Sequence, residues 1–452
     1  MNKELIYASV QKAADTITSL SDRIWEFAEL SMQEHQTADA FIQVLKENGF
    51  QVTEELVGLP TAFLGRYGTG KPVIGILGEF DALSGLAQTA GVCHADTDCP
   101  GGNGHGCGHN LLGAASVGAA IAIKEQIQAG NLSGTVVFYG CPGEEGCAGK
   151  VFMARDGMFR DLDAALSWHP GDTNEVITGS NAASLQIEYT FTGIASHAAD
   201  APEHGRSALD AAELMNIGVQ FLREHMPNHS SVHYAFTNTG GISPNVVQPT
   251  AKLVYMVRGE NVKSAKALLV RVEKIAQGAA MMTETTVSSR QIDGTSSTLS
   301  NTVLEKLLYD NLCQAPLPCY SDSDIAFAKA LKATYSPEKN ANALCNKVTT
   351  YVPSQRWSPG STDLGDVSWL TPTAQFNATT WPVGIPGHSW QIVSAGKTDI
   401  AHKGILFAAK VLAGAAADLM EKPELLKAAR AEFEISSADG YDCPITQDIK
   451  PT

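Results

Sequence analysis

Positive charge is scarce in this chain: 32 Lys plus Arg stand against 48 Asp plus Glu, a formal net charge of −16. Such a surface repels nucleic-acid phosphates and anionic bilayers, so neither nucleic acid nor membrane is an expected partner. Long apolar runs are also missing. No stretch approaches the ~18 uninterrupted apolar residues of a membrane span, and the opening MNKELIYASVQKAADTITSL lacks the apolar core of a signal peptide and reads as an amphipathic helix. A cytoplasmic location is the expectation. Internal repeats and long low-complexity tracts are absent. The nine cysteines are odd in number and scattered, which argues for free thiols or ligands over a disulfide framework. Cys93 and Cys99, in a Gly-rich loop, fit a crosslink or no role equally well.

What is present is ordinary globular material, with 44% hydrophobic and 18% charged residues. At 452 residues, two or three domains are expected. Pro72–Gly78 is a short apolar run leading into Glu79-Phe80-Asp81. LLGAASVGAAIAIKEQI reads as a buried helix of small residues, and GTVVFYGCPGEEG and DLDAALSWHPGD each read as a buried strand ending in polar residues. The alternation predicts an α/β catalytic domain with a mainly parallel central sheet, whose ligands gather at the carboxyl ends of the strands. Near Ser180 the pattern changes to β-α-β-β-α-β, the order of a ferredoxin-like α+β module. Residues 181–292 are therefore expected to be an inserted domain, with 1–180 and 293–452 forming a discontinuous catalytic domain. The helix in TDIAHKGILFAAKVLAGAAADLM is expected to close it.

Gly104-His105-Gly106-Cys107-Gly108-His109-Asn110 sets a thiol and an imidazole two positions apart among glycines that let the backbone bend around an ion. Glu144-Glu145 lies in a Gly-bounded turn after an apolar strand, where adjacent like charges call for a cation or a proton. One glutamate can then bind metal while its neighbour activates water. His169 and His388 read alone are equally well hydrogen-bonded core or turn residues. Taken together, Cys107, His109, Glu145, His169 and His388 offer the mixed S, N and O donors that suit two divalent ions, with zinc or manganese expected and cobalt or nickel compatible. Rival readings are a Cys107 nucleophile working with a histidine and a non-catalytic metal-binding protein.

The order of Glu79-x-Asp81-Ala82-Leu83, Gly106-Cys107-Gly108-His109-Asn110, Glu144-Glu145-Gly146, Trp168-His169-Pro170, Ser196-His197-Ala198-Ala199 and Pro386-Gly387-His388-Ser389 resembles the M20 metallopeptidase family, in its amidohydrolase branch. The resemblance covers nearly the whole chain. It implies metal-dependent hydrolysis of a small amide, an N-acyl or aryl-amide amino-acid conjugate such as p-aminobenzoyl-glutamate, with a dipeptidase or aminoacylase activity as the alternative.

By the same resemblance, Cys107, His109, Glu145, His169 and His388 hold metal, with His109 at the bridging position. Glu144 is the general base, and Asp81 supports the metal geometry. Glu79 stands where related branches have a histidine ligand and is left out of the ligand set, since Cys107 supplies that donor. Asn110 replaces an aspartate common in the family. The inserted module corresponds to a lid that mediates dimerisation, so a homodimer is implied and a hetero-oligomer is compatible. His197 would polarise the scissile carbonyl, reaching a partner subunit's site. Asn245 and Arg258 would bind a substrate carboxylate, although Ile194 sits where glutamate-releasing relatives often carry Lys.

Overall fold

The structure is a computed structural model that describes residues 2–336, 342–354 and 356–451. Four parallel strands form the centre of a seven-stranded sheet, in the spatial order Gly134–Cys141, Val73–Glu79, Ala164–Gly171 and Thr373–Thr379. All seven residues of Val73–Glu79 and all eight of Gly134–Cys141 are buried, because helices cover both faces of the sheet. Antiparallel strands finish the edges: Phe63–Thr69 and Gln51–Glu54 on one side, Glu175–Val176 on the other.

On one face, the helix His109–Gln128 is buried around most of its circumference, since its Ala and Gly residues let neighbouring elements approach closely. It packs against Asp399–Glu421 and against the N-terminal helices. Phe41, Phe63, Phe80 and Phe138 form a ring cluster there, with centroids 5.6 to 6.1 Å apart. The other face is covered by the short helices Gly149–Arg155 and Leu364–Ser368, with Tyr441, Ile445 and Ile449 of the C-terminal tail packed beside them.

Residues 183–295 build the second sheet, in the order Thr286–Thr295, Ala183–Thr192, Thr250–Gly259, Ser231–Asn238, antiparallel throughout. Helices Ala208–Arg223 and Val262–Thr283 cover one face and enclose a separate core around Tyr189, Tyr255, Met215 and Leu268. Two short strands, Ser180–Asn181 and Trp357–Ser358, pair at the junction.

Three sequence expectations need correction. The last lid strand ends at Thr295, not Ile292: an irregularity between Gln291 and Asp293 interrupts the alternation, and pairing then resumes with Ser184 and Leu185. The opening helix is two helices, Lys3–Lys12 and Ala14–Phe27, meeting at Ala13. Asp399–Glu421 is not the last helix, because Pro423–Ser436 follows it, with proline at its first turn. Asp399–Glu421 is also long and apolar enough to cross a bilayer, with a mean hydropathy of 1.4, but 78% of that window is buried inside the protein.

Candidate metal centre

The carboxyl ends of the parallel strands deliver the chemistry. Val73–Glu79 runs into Asp81, Gly134–Cys141 into the turn bearing Glu144 and Glu145, and Ala164–Gly171 carries His169 near its end. Gly108 adopts φ +75° immediately before the helix His109–Gln128, and a Cβ there would lie 2.7 Å from the Trp381 ring. Only glycine permits that turn, which seats His109, fully buried, as the first helical residue. His388 arrives on a loop at φ +50°, a left-handed conformation uncommon for histidine, and over half of its side chain is exposed.

Donor atoms converge in three groups among the described residues. Those of Cys107, His109 and His169 lie within 4.8 Å of one another, as do those of Cys107, Glu145 and His388. Cys107 Sγ is 3.5 Å from His169 Nε2, and His388 Nε2 is 3.5 Å from Glu145 Oε1. Cys107 is common to these two groups. The third group is Glu79, His109 and Glu144, so His109, the bridge that the resemblance implies, is likewise shared between two groups.

The imidazoles are aimed by their outer nitrogens. His109 Nδ1 lies 3.0 Å from Asp81 Oδ1, and His169 Nδ1 lies 2.7 Å from the Pro170 carbonyl. With Nδ1 protonated in each, both Nε2 atoms are left as lone-pair donors facing the cleft. Asp81 also accepts from Ser31 Oγ at 2.7 Å and the Glu145 N–H at 2.9 Å. Burial alone would raise its pKa, but the His109 contact and these two donors hold it below the usual carboxylate value.

The residues fit metal. His109 Nε2 and Glu145 Oε1 are buried without a hydrogen-bond partner, a costly state that cations relieve. Burial pushes the Cys107 thiol up to about 12, with Glu145 and Glu144 adding to the effect against His109. A thiol so suppressed is a poor free nucleophile, whereas coordination would ionise it. Burial, then the charges of Glu79 and Asp363, drive the Glu144 carboxyl well above its ordinary value. A carboxylate at this place, within 4.8 Å of a His109 donor, can accept and return a proton.

Several supporting residues escaped the sequence reading. Glu34 accepts from the Gly143 N–H at 2.9 Å and from Thr61 Oγ1 at 2.8 Å, bracing the glutamate turn from a segment 109 residues away. Burial and the nearby Asp81 push its carboxyl up to about 7. Lys150 and Asp363 form a buried ion pair at 2.5 Å behind Glu79. The one available signal was a lysine at the start of an otherwise apolar helical stretch, Gly149–Arg155. Asn110 serves packing: its amide donates to Ser21 Oγ at 3.1 Å and the Gly396 carbonyl at 3.1 Å, tying the metal-bearing helix to its neighbours. Cys93 and Cys99 are free thiols and form no crosslink.

The lid candidates stand apart from this cluster. His197 bridges to Val246, and its Nδ1 accepts from the Ala199 and Asp200 N–H groups. The Asn245 carbonyl accepts from the Ala198 N–H, so these two residues are neighbours. Arg258 lies at the other end of Thr250–Gly259, near His233 at 3.4 Å, with its Nε buried and unpartnered. Asn245 lies in the loop before that strand, and Arg258 is its last residue but one.

Sulfur, nitrogen and oxygen donors gathered at the carboxyl edge of an α/β sheet, with Glu144 beside them and a ferredoxin-like module inserted, mark a metal-dependent hydrolase of amide bonds. The match to Peptidase family M20/M25/M40 over residues 75–418 places the chain in that family. It is 42% identical to one of the subunits of the p-aminobenzoyl-glutamate hydrolase of Escherichia coli, covering 96% of this chain and 95% of that one. It is 29% identical to the Xaa-Arg dipeptidase of Mus musculus, covering 94% and 90%. The fold is shared with a dinuclear metal-binding peptidase of the M20 family from Bacillus subtilis, at TM-score 0.58 and 18% identity, over 91% of this chain and 99% of that one.

Proposed function

We propose that this protein hydrolyses the amide of a small N-acyl or aryl-amide amino-acid conjugate, with an aryl amide of glutamate as the leading substrate. The observation that carries the reading is the pair of donor groups sharing Cys107, with the Glu144 carboxylate within 4.8 Å of a His109 donor. The name of the 42%-identical relative supports the choice of substrate. Cys107, His109 and His169 would hold one divalent ion, and Cys107, Glu145 and His388 the other. Zinc or manganese suits these ligands best, and cobalt or nickel can replace them.

Bound there, the ions polarise the scissile carbonyl and acidify water to a pKa near about 7. Glu144 takes the proton of the attacking water and hands it to the departing amine nitrogen, so no covalent enzyme intermediate is needed. Asp81 keeps His109 in the tautomer that presents Nε2. Arg258 offers its guanidinium fork to a substrate carboxylate. His197 and Asn245, on the far end of the lid, complete the cleft of a second subunit, either a copy of this chain or a related one. A hetero-oligomer is supported by the relative's being one subunit of its enzyme. A reducing cytoplasm suits Cys93 and Cys99, which form no crosslink.

A dipeptidase is the second reading, favoured by the exposed Ile194, which supplies no cation for a glutamate carboxylate. Both are tested by assaying purified protein, loaded in turn with zinc, manganese, cobalt and nickel, against p-aminobenzoyl-glutamate, N-acyl amino acids and dipeptides. Glu144→Gln is expected to lower kcat by about 10²–10⁴-fold with its metal content intact. Normal turnover by that variant would remove Glu144 from the base role. Absence of amide turnover with every metal would overturn the assignment.

A further inference from the structure

Glu79 closes the strand Val73–Glu79 on the same edge as the metal donors, is 2% exposed, and has no task in the reading above. Its Oε2 lies 3.4 Å from His109 Nε2, the nitrogen that the Asp81 contact leaves for an ion. The donor atoms of Glu79, His109 and Glu144 all fall within 4.8 Å of one another. By distance alone, Glu79 competes for the ion that His109 binds.

Its other carboxylate oxygen points elsewhere. Glu79 Oε1 is 2.8 Å from Lys150 Nζ, an approach that is ionic in character. Lys150 is fully buried, and Asp363 grips it twice: Oδ1 is 2.5 Å from Nζ, and Oδ2 accepts the Lys150 backbone N–H at 2.9 Å. A lysine held at both ends in a packed interior cannot follow a carboxylate that moves away. If Glu79 swung onto a metal, the buried ammonium would lose one of its two anionic neighbours.

We propose that Lys150 is a positioning residue that keeps Glu79 outside the metal's coordination shell, leaving His109 Nε2 and Cys107 to the ion. The proposal rests on the metal-centre reading. It explains how an acidic residue within ligand distance can coexist with a catalytic site, which needs a coordination position open to water. A further carboxylate on the ion would fill that position.

The test is the visible spectrum of the cobalt(II)-loaded protein, read beside kcat and KM. Wild type is expected to show a thiolate-to-cobalt band together with the ligand-field bands of an ion with an open position. Glu79→Gln, nearly isosteric, is expected to leave that spectrum unchanged. Lys150→Met is expected to weaken and shift the ligand-field bands as the coordination number rises, and to lower kcat by about 10–100-fold with KM little altered. The double variant Glu79→Gln/Lys150→Met should return to the wild-type spectrum.

A changed spectrum in Glu79→Gln would make Glu79 a ligand already and overturn the proposal. So would an unchanged spectrum in Lys150→Met, or a double variant that keeps the altered one. If Lys150→Met does not fold, Asp363→Asn loosens the same clamp and is read against the same expectation. A wild-type protein with no thiolate band would overturn the metal-centre reading itself, and this proposal with it.

Discussion

At the edge of the parallel sheet, Asp81 is buried and held by three partners, His109, Ser31 and the Glu145 backbone. On the lid, His197 keeps 49% of its side chain exposed, and its Nδ1 accepts from the Ala199 and Asp200 N–H groups of its own loop. The two regions hold functional candidates of the same chemical types, yet one is packed among buried partners and the other faces solvent. Where a strand ends against a buried helix, every polar atom needs a partner, so geometry is fixed before any ion or substrate binds. An exposed lid loop has water for a partner and can wait for another surface.

That contrast can be broken by substitution. Cys107→Ala removes the donor common to both groups, so metal analysis should show loss of bound ions and turnover should fall below detection. Retention of two ions per subunit would contradict the shared role. His197→Ala should lower kcat by about 10²–10³-fold, the usual effect of losing an oxyanion donor, with metal content unchanged. Mixing it with Cys107→Ala should restore activity if the lid of one subunit serves the cleft of another. No recovery in the mixture would place His197 in its own subunit's chemistry. Asp81→Asn disturbs only the tautomer and orientation of His109, so a smaller loss of about 10–100-fold is expected in metal affinity.

The smallest effect concerns the junction between the regions. Burial pushes the Asp293 and Asp366 carboxyls up to about 7, Asp366 while accepting from Ser296 and Tyr441. In the folded protein these groups keep a proton that the unfolded chain has released above the ordinary carboxylate range. Stability should therefore fall as pH rises from about 4 to about 7, by at most about 1.4 kcal/mol per pH unit for each group. Asp293→Asn should flatten that slope in melting curves taken from pH 4.5 to 8; an unchanged slope would show that Asp293 titrates as it does in the unfolded chain.

The donor loop and the strand ends were legible because their signals are local. An apolar run followed at once by Glu79 and Asp81, or a thiol and an imidazole spaced by glycine, needs no knowledge of the rest of the fold. Glu34 and Gly143 are 109 residues apart and Lys150 and Asp363 are 213 apart, and no short-range pattern marks either pair. The lid was legible as an element order, but its last strand was misjudged by three residues because an irregularity hides the alternation. Asn245 and Arg258 lie 13 positions apart, but Asn245 sits in a loop and Arg258 within the ten-residue strand Thr250–Gly259.

By itself, then, the amino-acid order determined which residues could bind metal or move a proton, and the periodicities that build a parallel sheet with an inserted module. Only the tertiary structure decided that Cys107 and His109 each belong to two donor groups, that Asp81 and Pro170 contact the Nδ1 atoms of His109 and His169, and that Lys150 faces Glu79. The reason is physical. Backbone periodicity is a property of neighbours in sequence, whereas the partners of a buried charge are chosen by packing, which brings together whatever the fold leaves adjacent.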